Sequence, residues 1–347
     1  MPAAREFLAA ADAQHPLLVG IDVGGTNIKI GLVDDQGRTL AYRSIPTEAD
    51  RGAPDAAERM STTVTELCDD AGVDRADIVR AGLVTPGPMD LANGILLHPG
   101  NLPQWHNTPI RDLVATACGV PVRFANDANA AAYGEYWCGA GAAVASMIML
   151  TMGTGIGGGI IVDDMLIEGR HGCGGELGHI IIDCRDDAPN NSLDIRGTLE
   201  GYSSSYGVTG RAEAALNRGD ASSLRKRTGE GEELTPLMIA QEAEAGDQLA
   251  LDVVLDTARY MAIGIVTAVH TIDPDAVVIG GAMTFGGAGH PLGELFLQHV
   301  RTEAKSRMFE TLRDKVSIDF ATLGSDAGYL GAAGLARREH QQLQQQR

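Results

Sequence analysis

Apolar residues are arranged along this chain in two alternating patterns. Short apolar runs bounded by glycine or polar turns predict β-strands, and longer stretches with apolar residues every three or four positions predict helices. The predicted strands lie near residues 17–23, 28–33, 78–84, 121–126, 146–152, 156–162, 275–279 and 316–322. The predicted helices lie near residues 54–73, 109–118, 127–137, 197–216, 248–271 and from about 326 onward. Elements that alternate in this way indicate the α/β class.

One local pattern occurs twice. An apolar strand, a glycine-rich turn and a second apolar strand occupy residues 17–33, and the same order returns at residues 146–162. The repetition predicts a duplicated architecture, and a chain of 347 residues suits two domains. We assign the chain to an N-terminal extension (1–16), a small α/β domain (17–125) to which a C-terminal helix (327–342) returns, and a large α/β domain (126–326).

Composition narrows the expected partners and location. The chain carries 27 Lys and Arg against 46 Asp and Glu, a net charge of −19, whereas nucleic acid is bound by clustered basic residues. Five cysteines without paired spacing are typical of free thiols in a reducing cytoplasm. The sequence contains no signal-peptide core and no stretch with the length of a bilayer-spanning helix. We therefore expect a cytoplasmic protein that binds neither nucleic acid nor membrane. The polar segment 218–234 predicts a surface loop.

The first glycine hairpin is a candidate phosphate site. Asp22, at the end of a strand, is followed closely by Gly24, Gly25, Thr26 and Asn27. Glycines let the backbone approach a phosphate and point N–H groups at it, and the Thr26 hydroxyl adds a donor. Asp22 is suited to hold Mg²⁺ through water. The turn matches neither a P-loop nor a Rossmann fingerprint, because a strand follows it and no Gly-Lys-Ser/Thr is present. A plain structural turn fits the same residues.

The second hairpin repeats this chemistry with Gly153, Thr154 and Gly155. Two such turns can hold a polyphosphate from two sides, which makes two purely structural turns the less favoured interpretation. Gly280 and Gly281 follow another apolar strand and give a weaker indication of contact with the base and ribose of a nucleotide.

Two further pairs of polar residues suggest chemistry on a hydroxyl compound. Asn126 and Asp127 lie where a strand becomes a helix, and a carboxylate there can accept a proton from a hydroxyl that attacks a phosphate. Either residue also suits a helix N-cap. Glu176 and His179 can hydrogen-bond a polyol, although a surface loop with a core-facing histidine also fits and is favoured for His179 taken alone.

These motifs, in this order, closely resemble the ROK family (repressors, uncharacterised reading frames and sugar kinases) of the actin-like ATPase superfamily. The resemblance covers residues 17–340 and rests on GIDVGGTNIKIGLVD, PGPMD, GNLPQW, NDANAAAYGE, MGTGIGGGII, GELGH, VVIGGAM and SDAGYLGAAGLA. It implies a two-domain actin-like ATPase (ribonuclease H-like) fold with ATP, Mg²⁺ and a sugar in the interdomain cleft. It also implies a homodimer or homotetramer.

The resemblance implies a role for each motif residue by position. Asp127 would be the general base. The sugar would be bound by Asn101, Asn126, Asp127, Glu176, His179 and Glu200, with Gly87 nearby. The phosphates would be bound by Gly24, Gly25, Thr26, Asn27, Gly153, Thr154 and Gly155. Gly280 and Gly281 would face the adenosine, and Asp22 would hold Mg²⁺ through water.

The chain departs from the family at one metal site. Many ROK proteins bind zinc through the histidine of GELGH and three cysteines, and the matching cysteine positions here hold Asn191, Leu193 and Thr198. None is a usual zinc ligand, so we expect no zinc of the family type. We expect Leu193 to order the loop that presents His179 by apolar packing instead. A substitute cluster can be drawn from other residues of the region, but its spacing is not a recognised zinc pattern: His171, Cys173, His179 and Cys184.

The resemblance implies an ATP-dependent hexose kinase of carbohydrate metabolism, with glucose as the expected acceptor and glucose 6-phosphate as the product. Kinases for N-acetylmannosamine, N-acetylglucosamine, fructose or allose remain alternatives, as does polyphosphate as the donor. A non-catalytic sugar-sensing regulator is another. A ROK repressor carries a helix-turn-helix before the first hairpin, and the roughly 16 residues found there are too few for that module.

Overall fold

The computed structural model describes residues 6–346, whose contacts divide the chain into two compact units. The first unit comprises the described residues up to Ala143, Leu166–Gly174, and the described residues from Thr322 onward. The second unit comprises Val144–Met165 and Gly175–Ala321.

The elements are numbered in chain order. The strands are β1 (Leu17–Val23), β2 (Asn27–Val33), β3 (Thr39–Pro46), β4 (Ile78–Thr85), β5 (Met89–Asp90), β6 (Ile95–Leu96), β7 (Val122–Asn126), β8 (Ser146–Met152), β9 (Ile156–Val162), β10 (Met165–Leu166), β11 (Ala276–Gly280) and β12 (Ser317–Phe320). The helices are α1 (Ala53–Ala71), α2 (Ile110–Cys118), α3 (Asp127–Cys138), α4 (Leu199–Ser203), α5 (Ser205–Arg218), α6 (Leu224–Gly229), α7 (Pro236–Glu244), α8 (Gln248–Ile272), α9 (Pro291–Arg307) and α10 (Ala327–Gln345).

The first unit is built on a five-stranded sheet with the order β3-β2-β1-β4-β7. Strand β1 runs antiparallel to β2 and parallel to β4, and β4 runs parallel to β7. The apolar side chains of α1 and α2 pack on one face of this sheet, and α10 packs on the other. Parallel strands therefore end together at one edge, where Thr85 of β4 pairs in register with Asn126 of β7.

Helix α10 lies unusually close to its sheet because glycine faces small residues. A Cβ added at Gly20 of β1 would lie 1.8 Å from the backbone oxygen of Tyr329, and one added at Gly82 of β4 would lie 1.8 Å from that of Ala332. A Cβ at Gly331 would lie 1.7 Å from the backbone oxygen of Ala130 in α3. These approaches leave no room for side chains, which explains the Gly- and Ala-rich sequence of α10.

Helix α3 belongs to the first unit, whereas the predicted domain boundary separates it from β7. The buried Glu135 carboxylate accepts hydrogen bonds from the backbone N–H groups of Ala140, Thr322 and Leu323. Glu135 thereby ties the end of α3 to the segment that leads into α10. The sequence pattern of α3 alone contains no sign of this distant contact.

The second unit repeats the strand arrangement in a sheet with the order β10-β9-β8-β11-β12. Strand β8 runs antiparallel to β9 and parallel to β11, and β11 runs parallel to β12. Both units thus contain a hairpin followed by two parallel strands, in agreement with the prediction from the repeated hairpin. Helix α8 is buried along one stripe that includes Val254, Met261 and Ile265. No helix within residues 6–346 is both long and apolar enough to cross a bilayer.

The segment 218–234, predicted as a surface loop, contains the short helix α6. Polar contacts within the segment and to α7 hold it: Arg227 contacts Glu232 at 2.7 Å and Glu242 at 3.2 Å. The backbone N–H of Ser223 donates to the Asp247 carboxylate. The prediction of a loop was wrong for residues 224–229, because it considered the polarity of the segment and not the partners of its polar side chains.

Candidate active site

The first glycine hairpin joins β1 to β2 and leaves its turn exposed. The Gly24 N–H donates to the Asn27 carbonyl at 2.9 Å. The buried Thr47 holds the turn from the side, since its hydroxyl donates to the Gly24 carbonyl at 2.7 Å. Gly25, Thr26 and Asn27 are exposed, so their polar groups are accessible to an anion.

Asn101 lies beside this hairpin. A Cβ built on Gly25 would lie 3.2 Å from the Cβ of Asn101. The absence of a side chain at Gly25 therefore lets Asn101 lie close to the hairpin. Gly87 has a φ of +96° and packs against Pro99, where an added Cβ would lie 2.9 Å from the Pro99 Cα. Gly87 therefore supports the loop that carries Asn101, a role that a larger residue with left-handed φ would strain.

Asp22 is the penultimate residue of β1 and has one cationic neighbour, with 3.8 Å between its Oδ2 and the Nζ of Lys29. Burial raises the pKa of the Asp22 carboxyl, and the charge of Lys29 offsets this only in part. The Lys29 ammonium is shared, because it also donates to the Ser325 carbonyl at 2.9 Å. A carboxylate with incompletely compensated charge fits a hydrated Mg²⁺.

The junction of β7 and α3 separates the roles of Asn126 and Asp127. Asn126 is the N-cap: its Oδ1 accepts from the N–H groups of Ala128 at 2.9 Å and Asn129 at 3.2 Å. The Asp127 Oδ1 accepts from the Ala128 N–H at 2.8 Å. Because Asn126 performs the capping, the start of α3 does not depend on the Asp127 carboxylate as a cap.

The second hairpin joins β8 to β9 and is braced by a buried carboxylate. The Glu200 Oε2 accepts from the Ile156 N–H at 3.0 Å, and a Cβ added at Gly155 would lie 2.4 Å from the same oxygen. On its other side the turn meets the first residue of α5, where the Ser205 N–H donates to the Gly153 carbonyl at 2.9 Å. A glycine turn beside a helix N-terminus is a favourable arrangement for phosphate.

Glu200 is fully engaged on both oxygens. Its Oε1 accepts from the hydroxyls of Ser192 at 3.0 Å and Tyr206 at 2.7 Å. Burial by itself would raise the pKa of the Glu200 carboxyl, but the hydrogen bonds from Tyr206, Ile156 and Ser192 outweigh it and hold the pKa below its ordinary value. The carboxylate is therefore ionised and joins the hairpin, the 190–195 loop and α5. Its contact with a sugar stays a prediction.

The loop that carries Asn191 packs against His179. The Asn191 Nδ2 lies 2.8 Å from the His179 Nδ1, and the Glu176 Oε2 lies 3.8 Å from the His179 Nε2. Asn191 is buried, whereas Leu193 is 65% exposed. The expectation that Leu193 orders this loop by apolar packing is therefore wrong. The hydrogen bonds of Asn191 provide that order instead.

Two of the three positions that match family cysteines are engaged in other hydrogen bonds. Asn191 is engaged with His179, and the Thr198 hydroxyl caps α4 by accepting from the Gly201 N–H at 3.1 Å. Cys173 and Cys184, from the substitute cluster, are exposed free thiols. In the part of the chain that the structure describes, no three His, Cys, Asp or Glu side chains are grouped as metal ligands.

A cavity of about 490 Å³ opens beside the second hairpin within the second unit. Its walls come from the hairpin, the start of α5, one face of α7 and the segment after β11: Gly153, Thr154, Ser205, Pro236, Leu237, Ala240, Gln241, Glu244, Ala282, Met283, Phe285, Gly286 and His290. The contribution of α7 was not predicted, because its sequence carries no chemical motif. Ser205 was missed as well, although it directly follows Ser204, the residue that caps α5.

Gly280 and Gly281 do not line this cavity, although their immediate neighbours Ala282 and Met283 do. Gly281 has a φ of +94°, and a Cβ added to it would lie 2.2 Å from the Met152 carbonyl oxygen. The Met283 N–H donates to the same carbonyl at 3.0 Å. Gly281 therefore lets the chain pass close behind the second hairpin and turn towards the cavity.

The predicted site residues fall into two groups. The first unit carries Asp22, Gly24, Gly25, Thr26, Asn27, Asn101, Asn126 and Asp127, and the second carries Gly153, Thr154, Gly155, Glu176, His179, Glu200, Gly280 and Gly281. Within the second unit, His179, Asn191, Ser192 and Glu200 belong to one region that is continuous with the second hairpin through hydrogen bonds.

Comparison with known proteins decides the family, because the ROK family model matches residues 18–339. The chain belongs to the ROK family. A glucokinase of Thermotoga maritima is 31% identical over 320 residues, which are 92% of this chain and 97% of that protein. A ROK hexokinase from Thermus thermophilus superimposes with a TM-score of 0.79 at 31% identity, covering 94% of this chain and 99% of the other.

A ROK family glucokinase from Streptomyces griseus, solved in complex with glucose and AMPPNP, has a TM-score of 0.69 at 31% identity and covers 93% and 99% of the two chains. The predicted family and the two-domain actin-like ATPase fold are thus confirmed for this ROK protein. An N-acetylmannosamine kinase and a xylose repressor also match, so membership of the ROK family leaves the acceptor open.

Proposed function

We propose that this ROK protein is an ATP-dependent hexose kinase that converts ATP and D-glucose to ADP and glucose 6-phosphate. The observation that carries the proposal is the start of α3, where Asn126 is the N-cap and the next residue is the carboxylate Asp127. Asn126 caps α3 by accepting from the Ala128 and Asn129 N–H groups, so the adjacent Asp127 carboxylate is not required as the cap and is proposed as the base. A carboxylate at the end of a parallel strand, with a glycine hairpin in the same unit, suits proton abstraction coupled to phosphoryl transfer.

The 6-hydroxyl oxygen of the sugar attacks the γ-phosphorus of ATP in line, and its proton passes to the Asp127 carboxylate. A new O–P bond forms as the bond between the γ-phosphorus and the bridging oxygen breaks, and ADP leaves with the electron pair of that bond. Asp127 later returns its proton to solvent. The second hairpin is the proposed phosphate cradle.

The nucleotide is assigned to the cavity beside the second hairpin. Its volume of about 490 Å³ lies within the range of small-molecule sites, and Gly153, Thr154 and the start of α5 form its wall. The apolar wall from Leu237, Ala240 and Phe285 suits a purine ring. The AMPPNP complex of the Streptomyces griseus relative supports ATP as the donor.

The proposal includes one metal ion, Mg²⁺, and excludes zinc of the family type. Asp22 would hold a hydrated Mg²⁺, which would neutralise phosphate charge when bound. We propose no zinc of the family type, because Asn191 and Thr198 are engaged elsewhere and Leu193 has no ligand atom. Elemental analysis of purified protein should find less than about 0.1 zinc per chain; one zinc per chain would overturn this.

Homodimer or homotetramer formation and a cytoplasmic location stay predictions. Light scattering of the purified protein would measure the oligomeric state.

The test of the kinase assignment is ADP release from Mg·ATP with the Asp127→Asn variant. General-base removal should lower kcat by about 10²–10⁴-fold. Asp112→Asn is the matched control, since Asp112 is also an acid in the first turn of a helix of the first unit and is exposed. Its kcat should equal that of the wild type. An Asp127→Asn enzyme with kcat within fivefold of wild type would refute the assigned base.

A sugar panel separates the proposed acceptor from its alternatives. Glucose should give the highest kcat/KM among glucose, N-acetylmannosamine, N-acetylglucosamine, fructose and allose. A higher value for any other sugar would transfer the assignment to that sugar, and preference for polyphosphate over ATP would change the donor. Sugar binding by calorimetry without turnover of any donor would favour a non-catalytic regulator.

A further inference from the structure

The loop of residues 190–195 closes around the side chain of Asn191. The Asn191 Oδ1 accepts from the backbone N–H groups of Leu193 at 3.0 Å and Ile195 at 2.9 Å. The Asn191 N–H donates to the Ile195 carbonyl at 2.9 Å. Asn191 is 7% exposed, so little of this residue is accessible to solvent. The amide therefore has one orientation that satisfies the loop.

This orientation determines which atom of Asn191 faces His179. Since Oδ1 accepts from two peptide N–H groups, the amide nitrogen is the atom that lies 2.8 Å from the His179 Nδ1. An amide nitrogen can only donate, so the Nδ1 must present its lone pair. The proton of a neutral His179 then belongs on Nε2. The network of hydrogen bonds assigns the tautomer, which the ring by itself does not reveal.

The other edge of the ring points to a specific use. The His179 Nε2 lies 3.8 Å from the Glu176 Oε2, which is too long for a direct hydrogen bond, and both side chains are partly exposed. One hydroxyl group placed between them can accept from the Nε2–H and donate to the carboxylate. A donor and an acceptor at this separation thus form a recognition pair for a single hydroxyl of a polyol.

We propose that Asn191 is a positioning residue that holds His179 in the Nε2–H tautomer, so that His179 and Glu176 together bind one sugar hydroxyl. This inference rests on the proposed function for its substrate, a hexose, whereas the tautomer is a property of the sugar-free protein. In this proposal the neutral amide of Asn191 both orders the 190–195 loop and fixes the tautomer of the His179 ring.

The first test reads the tautomer in the sugar-free wild-type protein at pH 9, where an ordinary imidazole is neutral. Long-range ¹H–¹⁵N correlation of histidine-labelled protein distinguishes protonated from unprotonated ring nitrogens, and a His179→Gln spectrum assigns the signals. We expect a protonated Nε2 and an unprotonated Nδ1. A protonated Nδ1 would overturn the inference, whatever the enzymatic activity of the protein.

The second test reverses the hydrogen bond with Asn191→Asp at the same pH. Aspartate keeps an oxygen for the Leu193 and Ile195 N–H groups but presents a second oxygen to His179. The ring should change to the Nδ1–H tautomer, and KM for glucose should rise about tenfold, as expected when one hydrogen bond is lost. KM for ATP should change by less than twofold. A changed tautomer with unchanged KM for glucose would refute the positioning role.

Asn190→Asp is the matched control, because it adds the same charge to the same loop. Asn190 contacts Asp194 and not His179, so this variant loosens a loop contact without reaching the ring. It should keep the Nε2–H tautomer and the wild-type KM for glucose. Equal rises of KM in both variants would indicate a purely structural effect of the loop and overturn the proposal. If no hexose is phosphorylated by the wild type, the proposed function fails, and calorimetric glucose affinity of the same variants decides the positioning role.

Discussion

The two glycine hairpins occupy equivalent places in the two sheets but are supported in different ways. The first turn has four residues between the paired Val23 and Ile28, and the second has three between Met152 and Ile156. A neutral hydroxyl, that of Thr47, braces the first turn. An ionised carboxylate, that of Glu200, braces the second. The same strand pattern therefore supports two turns with different electrostatic surroundings.

The residues that precede the turns also differ in charge. Asp22 faces Lys29 across the first hairpin, whereas the corresponding pair across the second is Thr151 and Gly157. The first hairpin thus combines a carboxylate with a lysine, whereas the second pairs an uncharged threonine with a glycine. The two halves of the duplicated fold therefore place different charges beside their glycine turns.

The largest expected effect comes from Gly155→Ala in the second hairpin. The new Cβ would lie 2.4 Å from the Glu200 Oε2, an oxygen held by the Ile156 N–H. Overpacking of this kind costs about 1–3 kcal/mol, so calorimetry should give a melting temperature about 5 °C lower. The distorted cradle should reduce kcat/KM for ATP by about 100-fold.

Gly153→Ala is the control for folding, since no atom lies within 4 Å of a Cβ built there. Its melting temperature should stay within about 1 °C of the wild type, because the added methyl group meets open space. Equal destabilisation of both variants would contradict the role given to Glu200.

The brace itself is tested by Glu200→Gln. An amide nitrogen would meet donors from Tyr206, Ser192 or Ile156, so we expect a loss of about 2 kcal/mol in the free energy of unfolding at pH 7. Because the folded pKa of Glu200 lies below its ordinary value, the carboxylate stabilises the fold above the unfolded pKa of about 4.3. That stabilisation is lost as the pH falls through the folded pKa. The difference between variant and wild type in urea unfolding should therefore shrink below about pH 4.3; a constant difference would contradict it.

The first hairpin should respond differently to loss of its carboxylate. Asp22→Asn should raise the Mg²⁺ concentration for half-maximal activity about tenfold, because a neutral amide is a weaker ligand for a hydrated cation. The folded pKa of Asp22 is raised, so the carboxyl stabilises the fold at low pH and loses this contribution as the pH rises through that pKa. Without Mg²⁺ at pH 7 the variant should therefore melt about 2 °C above the wild type.

Asp69→Asn, at an exposed position near the end of α1, is the control for this prediction. It should change neither the Mg²⁺ requirement nor the melting temperature. A lower melting temperature for Asp22→Asn in the absence of Mg²⁺ would mean that Lys29 compensates the carboxylate fully.

Features of this protein that depend on local geometry could be predicted from the sequence, whereas contacts between residues distant in the chain could not. Glycine, Asp and Asn motifs at strand ends depend on local geometry, so the hairpins, the β7–α3 junction and the duplicated sheets followed from pattern and resemblance. The cap by Asn126 could be anticipated, but the choice between Asn126 and Asp127 needed coordinates. The boundary after α3 and the role of Asn191 depend on contacts distant in sequence, Glu135 with Leu323 and Asn191 with His179. No local pattern encodes such contacts.

The smallest expected effect concerns the cavity wall beside the second hairpin. Leu237 of α7 is 67% exposed and lines this cavity, so a bound purine would cover it. Leu237→Ala should raise KM for ATP about three- to tenfold through lost apolar contact, while KM for glucose stays unchanged. Leu295→Ala is the control: Leu295 is 45% exposed and lines a neighbouring cavity instead. Steady-state kinetics that find the same KM for ATP in both variants would remove the nucleotide from this cavity, and with it the asymmetry between the two hairpins.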